Sequence, residues 1–391
     1  MSRRATAGLT ALLLLLALPA AATPTRVLSM GGGGDYLEDV DNVRRWPGTL
    51  ATYPDLLLLD LGRQQVSTAR GQSLGAHLSL DAADRFGVAG IWLYDDQPGR
   101  DLGLMWGLKR ERWQVGLQYG YANRVVANGV NSSWFEETRV DLGAGLRWEL
   151  APRTWTDLAC DGAFTRDSVA FDLVQVVNDD RDLDSFGLRW RLFHGLGDNL
   201  ALVPCVVWER ELNYERVGAE WFGRPLFGGI YSDEDAPANG VQYLDDTSAF
   251  SGGMGLLLLP DPDRMLQASV TWSRVERRLS DPADGDHPDL LRQDVSTTAL
   301  TLRLGGEARV LHWLTVRGGA WKTMSVSDVG SYWDNGDPWT SYRGFSDDDM
   351  DASLGFGVHV GDFDADFALA DGAPFELGGL LTNRAGHSDL W

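Results

Sequence analysis

The chain has 391 residues and a formal net charge of -22, and it contains two cysteines. A strongly acidic chain repels the phosphates of nucleic acids, so nucleic-acid binding is disfavoured. Two cysteines are too few for a fold held together by disulfide bonds. The alternation of the flanking sequence places Cys160 and Cys205 on opposite strand faces, so we expect no bond between them.

Residues 1–22 have the three-part layout of a secretory signal peptide. Arg3 and Arg4 precede a ten-residue apolar run, Leu9–Leu18, and three alanines end the segment at Ala22. A membrane-spanning helix needs about 20 apolar residues, so the run is too short to favour a permanent anchor. We therefore expect export and cleavage after Ala22.

The rest of the sequence has no apolar stretch of that length, but it is rich in residues that membrane barrels use. The 46 glycines and 16 tryptophans of the whole chain suit tight turns and an interfacial aromatic girdle. Only alternate side chains of a barrel strand face lipid, so such a chain has the average hydropathy of a soluble protein. If the mature chain meets a membrane, it does so as a β-barrel.

Period-two alternation is the most informative pattern in the chain. From Trp113 to Tyr121 and from Val140 to Leu150, apolar residues are set against glycine, polar or charged residues. The length matches the roughly 9 to 11 residues of a tilted transmembrane strand. A soluble β-sandwich also alternates, but it seldom sustains such long strands and is the less favoured alternative. The pattern recurs at 102–108, 186–192, 266–272, 354–360 and 363–369.

The lengths of the connections provide a second test. Predicted short links lie near 109–113, 150–154, 195–199, 260–264, 305–313 and 361–363. Predicted long links lie near 123–138, 166–184, 213–250, 278–295 and 324–351. Short and long links alternate along the chain, as in outer-membrane barrels, whose short turns face the periplasm and whose long loops face outward.

These patterns predict an all-β fold, a transmembrane antiparallel β-barrel of about 14–16 strands. Fifteen candidate strands run from about Leu56 to near Ala370. Because a barrel has no open edge in lipid, we expect a sixteenth strand. Leu377–Trp391 is the segment available for it, although its alternation is poor.

A motif follows the signal peptide. Arg26–Gly33 (Arg-Val-Leu-Ser-Met-Gly-Gly-Gly) precedes an acidic pair and then Trp46–Leu50 (Trp-Pro-Gly-Thr-Leu). It resembles the amino-terminal signature of the outer-membrane barrel superfamily that contains the long-chain fatty acid transporters and the barrels of type IX secretion. Gly33, Trp46 and Gly48 stand where that signature has alanine, asparagine and alanine. The motif residues are Arg26, Met30, Gly31, Gly32, Asp39, Asn42, Trp46, Pro47 and Leu50.

The resemblance implies a barrel of about 14 or 16 strands whose amino-terminal segment lies in the lumen. The predicted organisation is a signal peptide at 1–22, a plug or latch segment at 23–55 and the transmembrane β-barrel at 56–391. Repeated inward glycines would leave room for such a segment, but glycine also lets strands twist and pack closely, and both interpretations stay open. These glycines are Gly103, Gly107, Gly116, Gly120, Gly143, Gly145, Gly355 and Gly357.

The inward positions of the predicted strands also collect charges of both signs. The predicted lumen-facing set is Asp141, Arg147, Glu149, Asp157, Arg189, Arg191, Glu209, Arg303 and Arg317. A charged lumen suits water and weakens the case for a hydrophobic solute. The alternative is a salt-bridged interior that stiffens a closed barrel, since charges buried away from water must be paired.

Motifs of catalysis are absent from the sequence. There is no Gly-x-Ser-x-Gly elbow, phosphate loop, His-Glu-x-x-His or paired Cys-x-x-Cys. We therefore expect no enzyme, no catalytic residue, no cofactor and no metal site. Acidic clusters at 233–235, 281–289, 334–337 and 347–351 fall in predicted long links, and a solvated acidic loop is favoured over calcium binding there.

Three functions follow from these predictions. The leading hypothesis is a bacterial outer-membrane transporter or channel for small hydrophobic or amphipathic solutes, in contact with outer-membrane lipid. The second is a structural or docking barrel that binds a protein partner through its outer loops. The third is an outer-membrane enzyme, in which a hydroxyl, a histidine and an acid converge from separate strands.

Overall fold

A computed structural model describes residues 24–60, 71–80, 85–96, 99–128, 133–171, 177–217, 241–280, 292–332, 338–361 and 363–368. The predicted signal peptide at 1–22 and the predicted closing strand at Leu377–Trp391 lie outside the described residues. In the described part of the chain, no helix is both long and apolar enough to cross a membrane.

Short helices precede the sheet, and we name residues 24–53 the lumenal segment. Helix α1 and three 3-10 helices span Pro24–Ser29, Gly34–Tyr36, Val40–Val43 and Pro47–Thr52. Gly31 and Gly32 have φ values of +85° and +75°, which glycine adopts without strain. The Gly32 amide donates to the Val27 carbonyl at 2.9 Å and so closes the end of α1.

The remaining elements of the described residues are fifteen strands in one sheet, each antiparallel to the next in chain order. Their number confirms the predicted fifteen strands. They span β1 Leu56–Asp60, β2 Gly71–Ser79, β3 Val88–Asp96, β4 Gly99–Arg110, β5 Trp113–Asn128, β6 Ser133–Ala151, β7 Thr154–Phe171, β8 Val177–Gly195, β9 Leu200–Val217, β10 Val241–Asp261, β11 Arg264–Ser280, β12 Arg292–Leu311, β13 Leu314–Tyr332, β14 Pro338–Val360 and β15 Phe363–Ala368.

The two faces of the sheet differ as the alternation predicts. In β5, Leu117, Tyr119 and Tyr121 are 52%, 41% and 39% exposed on the outer face. Exposed large apolar side chains recur on the outer face of strands from β1 to β15. Cys160 is exposed and Cys205 is buried, so their predicted placement on opposite faces is confirmed.

The sheet curves around the lumenal segment. Its third 3-10 helix contacts β3 to β7, its first contacts β9 and β10, and α1 contacts β13, β14 and β15. One short segment touches strands at both ends of the sheet only if the sheet wraps around it. The predicted antiparallel barrel with an amino-terminal segment in its lumen is confirmed in this form. Among the described residues, β1 and β15 do not pair with each other.

The predicted strand length was too short. Strands β5 to β14 have 16 to 23 residues, not 9 to 11. Alternation marks only the part of a strand that has one apolar face. Where both faces are polar, the pattern disappears although the backbone ladder continues, because ladder bonds join backbone groups.

The predicted links were too long for the same reason. The link predicted at 324–351 is confined between Tyr332 and Pro338, and the acidic run at 347–351 lies within β14. The short link predicted at 305–313 is also wrong, since β12 continues to Leu311 and β13 starts at Leu314. The link between β12 and β13 therefore has two residues, as do the links from β4 to β5, from β6 to β7 and from β10 to β11. We name the end of the sheet with these links the turn end.

Candidate functional site: the lumenal segment and its wall

The lumenal segment has a buried apolar core. Met30, Val40, Val43, Trp46 and Leu50 are at most 1% exposed. Complete burial of one such side chain stabilises a fold by roughly 1.5–3 kcal/mol. These five side chains are therefore buried away from water.

Two sets of wall residues complete that core. Met30 and Trp46 belong to a cluster with Phe193, Val203 and Val207 on β8 and β9. On the other side of the lumen, Val40, Val43 and Leu50 pack with Leu56, Val88, Trp92 and Met105 on β1, β3 and β4. The segment therefore packs against the wall on two sides.

Glycines of the wall let the backbone of the segment approach. A Cβ atom at Gly116 would overlap the Pro47 carbonyl oxygen, and one at Gly145 would overlap the Gly48 amide nitrogen. A Cβ at Gly107 would lie 3.0 Å from Leu50 Cβ. No ordinary side chain fits where two backbones touch. The interpretation that inward glycines leave room for the segment holds at these positions.

The same holds at Gly355, where a Cβ would overlap Ser29. A Cβ at Gly305 or Gly319 would likewise overlap the Met30 backbone, although neither glycine was among those predicted to make room for the segment. Gly103, Gly120, Gly143 and Gly357 instead face side chains of neighbouring strands, respectively Trp92, Asp141, Gln118 and Asp366 with Arg317. At Gly120, Gly143 and Gly357, close packing within the wall explains the glycine, whereas the nearest atom to a Cβ at Gly103 lies at an ordinary 3.4 Å.

A buried charge cluster joins β6, β7 and β8 to the segment. Asp157 accepts two hydrogen bonds from Arg147, at 2.7 and 2.8 Å, and one from Arg191 at 2.8 Å. Arg147 also pairs with Glu38 of the segment. Asp157 and Arg191 are only 2% and 1% exposed. Charges at that depth are tolerated only when paired and hydrogen-bonded.

Arg191 also contacts the lumenal segment directly. It donates to the backbone carbonyls of Asp35 and Leu37 at 3.1 and 3.0 Å. Its guanidinium lies 4.3 Å from the centre of the Trp46 ring, within the range of a cation–π interaction. A wall arginine therefore holds the segment by its backbone and by its largest side chain.

A second charge chain lies toward the turn end. Arg26 donates to Asp39 at 2.9 Å and to both oxygens of Glu307, at 3.0 and 2.5 Å. Glu307 also accepts from Arg317 at 3.1 Å, and Arg317 donates to Asp366 at 2.5 Å. Burial opposes protonation of Arg26, but its bonds and charges with Glu307 and Asp39 outweigh burial and raise its pKa. Arg26 is therefore a permanent cation of the segment.

Neutral hydrogen bonds add to this attachment. Gln267 donates to the Gly33 carbonyl at 3.1 Å, and Tyr36 Oη lies 2.8 Å from Thr271 Oγ1. Within the segment, Asn42 donates to the Gly34 carbonyl at 2.6 Å. No sequence motif marks the wall partners Gln267, Thr271, Glu307 and Asp366. Their only sequence signal is that strand alternation places them on the inward face.

The other predicted lumen-facing residues lie away from these contacts. Arg189 pairs with Asp161 and with Glu209, the latter at 2.9 Å. Asp141 accepts from Arg139 at 2.8 Å, and Glu149 is exposed near the end of β6. Arg303 donates to Thr271 Oγ1 at 3.4 Å. Mixed charges thus extend beyond the segment, and most of them are paired.

The predictions about metal binding and the outer loops can be compared with the structure only in the described residues. In the described ranges, no group of three or more histidine, cysteine, aspartate or glutamate residues is placed to hold a metal ion. The acidic runs at 233–235, 281–289 and 334–337 fall, wholly or for the most part, outside the described residues. Docking of a protein partner on these loops stays a prediction, and so does the solvated acidic loop that the sequence favours over calcium binding.

Comparison with known proteins gives no family. No family model matches the chain, and no curated protein matches it. Among solved structures, it is similar to the Pseudomonas putida toluene transporter TodX, with 10% identity, a TM-score of 0.40 and coverage of 88% of this chain and 94% of that one. It is also similar to the ferric citrate transporter FecA, with 11% identity, a TM-score of 0.40 and coverage of 76% and 62%.

A third similar structure is the ferric preacinetobactin receptor BauA from Acinetobacter baumannii, with 9% identity, a TM-score of 0.42 and coverage of 78% and 68%. The matched part spans about three fifths of the length of FecA. TM-scores at this level carry no argument about function.

Proposed function

We propose that this chain is a bacterial outer-membrane β-barrel that admits small hydrophobic or amphipathic solutes past an amino-terminal plug. In this proposal, residues 1–22 are a cleaved signal peptide, residues 23–55 the plug and residues 56–391 the barrel. The outer face supports a membrane location. Exposed leucine, phenylalanine and tryptophan side chains recur across the sheet, and water would disfavour so large an apolar surface.

The observation that carries the proposal is the attachment of the lumenal segment to the wall. Two charge clusters and a row of glycines are built around it, and its apolar core fills that level of the lumen. This supports a salt-bridged, closed resting state at the segment. Passage of a solute then requires the segment to shift, because no ordinary side chain or solute fits between touching backbones.

The resemblance to the superfamily of long-chain fatty acid transporters supports the choice of solute. Its motif residues have distinct structural roles here: Met30, Trp46 and Leu50 form the core, and Asp39 pairs with Arg26. The motif therefore coincides with the part of the segment that closes the lumen. This favours a barrel that handles amphipathic molecules over an open pore for water and ions.

A reversible tether tests the proposal. Gly33 and Gln267 face each other at the junction of the segment and β11, and the atoms nearest to a Cβ at Gly33 belong to the Gln267 side chain. Gly33→Cys with Gln267→Cys, in a chain whose native cysteines are replaced by serine, removes that overlap and can form a disulfide. The readout is entry of octanesulfonate into proteoliposomes, with sucrose as the polar control.

We expect the wild type to admit octanesulfonate faster than protein-free liposomes do. The oxidised tethered variant should block entry, and a reductant should restore it. Equal entry before and after reduction would show that the segment does not gate the lumen. No entry through the folded wild type would reject transport of this class of solute.

A further inference from the structure

A cavity opens at the turn end, beyond the second charge chain. Its volume is about 590 Å³, within the roughly 300–1,000 Å³ of small-molecule sites. Arg26, Glu307 and Arg317 line it, and both arginines donate hydrogen bonds to Glu307. Thr315 and His359 also line the cavity, and they hydrogen-bond to each other.

Thr315, His359 and Asp364 form a continuous hydrogen-bonded series. Thr315 Oγ1 lies 2.9 Å from His359 Nε2, and His359 Nδ1 lies 2.5 Å from Asp364 Oδ1. The three residues stand on β13, β14 and β15, and His359 is directly opposite Asp364 in the register. Antiparallel pairing of consecutive strands therefore fixes their geometry.

Hydroxyl, imidazole and carboxylate follow one another in the order found where a histidine activates a hydroxyl nucleophile. A carboxylate at Nδ1 holds the proton on that nitrogen and leaves Nε2 to accept the hydroxyl proton. The distance between the hydroxyl oxygen and His359 Nε2 falls within the range of roughly 2.6–3.2 Å that proton transfer needs. A polar tie between strands would explain the contacts alone, but it would not explain why the series faces a cavity of ligand size.

The same cavity offers cations to a developing oxyanion. Arg264 and Arg309 line it, and their side chains are 68% and 46% exposed. Their nearest carboxylates, Asp261 and Asp263, lie at 3.5 and 3.4 Å, longer than the pairs that hold the segment. Positive groups aimed at a reacting carbonyl lower the barrier to acyl transfer.

We propose that Thr315, His359 and Asp364 form a site that hydrolyses small acyl esters at the turn end. Thr315 Oγ1 attacks the ester carbonyl and gives its proton to His359 Nε2. The ester C–O bond breaks, and the leaving alcohol takes that proton. Water, deprotonated by His359, then attacks the acyl-threonine, which releases a carboxylic acid and restores the hydroxyl. This site does not depend on movement of the lumenal segment.

The test is hydrolysis of p-nitrophenyl acetate and butyrate by the folded barrel in detergent, with labelling by a fluorophosphonate probe. Thr315→Val and His359→Gln should lower the rate by about 100-fold or more, and Asp364→Asn by about tenfold or more. Thr315→Ser should keep the rate or raise it, since a primary hydroxyl is less hindered.

The matched control is Thr301→Val, which removes an inward hydroxyl that bonds to Thr323 at 3.1 Å. It should leave hydrolysis unchanged. Heat-modifiable migration on a gel shows that each variant is folded, and mass spectrometry locates the adduct on residue 315. A folded wild type that neither hydrolyses nor reacts with the probe would overturn the proposal. So would a rate that survives Thr315→Val.

Discussion

Asp157 is the carboxylate on which two buried guanidinium groups depend, those of Arg147 and Arg191. Asp157→Asn leaves both cations with less compensation in a water-poor interior. Loss of one partner of a buried pair costs about 3–5 kcal/mol, so we expect the free energy of unfolding in micelles to fall by about that amount.

Asp198→Asn is the control for that change. It breaks a pair with Arg153 in which the side chains are 84% and 61% exposed. Exposed pairs contribute about 0–1 kcal/mol, so denaturant unfolding should hardly change. Equal losses in the two variants would mean that the wall cluster does not carry the energy assigned to it.

Tyr53 makes the attachment of the lumenal segment sensitive to alkali. Burial raises its pKa above the ordinary value near 10, and the charges of Glu38 and Asp39 raise it further. A group whose folded pKa is raised stabilises the fold fully below its unfolded pKa, and that contribution is lost as pH rises through the folded pKa.

We therefore expect proteolysis of the lumenal segment to increase only above about pH 10. Tyr53→Phe, which cannot ionise, should reduce that increase. Measurement of protease cleavage against pH decides the point, and an identical alkaline profile in the variant would assign the effect to other groups.

The role of a wall glycine that touches the lumenal segment can be tested against a wall glycine that has room for a Cβ. Gly116→Ala forces a methyl group into the Pro47 backbone, whereas at Gly103 the nearest atom to a new Cβ lies at an ordinary 3.4 Å. Overpacking costs about 1–3 kcal/mol, so Gly116→Ala should destabilise the barrel and expose the segment to protease. Gly103→Ala should do neither, and similar behaviour of the two variants would contradict the assigned role.

At the scale of elements, a strand is predictable where its two faces meet different surroundings. Between Trp113 and Tyr121, alternation located β5. Beyond Tyr121 the strand continues to Asn128 without that signal, because polar and apolar residues are mixed on both of its faces. Strand ends therefore escaped prediction although strand number did not.

The apolar outer face gives an element-scale prediction. Leu188 in β8 and Leu196 in the following turn are 54% and 52% exposed. In a lipid-facing strand, a lysine near the membrane centre costs about 2–4 kcal/mol. Leu188→Lys should therefore reduce the folding yield in liposomes, and Leu196→Lys should not. Equal yields would argue against a lipid-facing outer surface.

At the scale of the whole molecule, the motif predicted that residues such as Met30 and Trp46 matter, but not what holds them. Arg26 and Glu307 are 281 positions apart, and their pairing depends on how the whole sheet curves. Period-two patterns assign a residue to a face and contain no information about the curvature that brings distant strands together. The convergence of Thr315, His359 and Asp364 was anticipated only as a general alternative, because it depends on the register of β13, β14 and β15, which alternation does not give.

The conductance of planar bilayers tests most directly whether the lumenal segment closes a membrane-inserted barrel, as we propose. Gly116→Val with Gly145→Val should expel the segment, since both wall positions touch its backbone. We predict low conductance through the wild type and steady, high conductance through the folded double variant. High conductance through the wild type, equal to that of the variant, would contradict the claim.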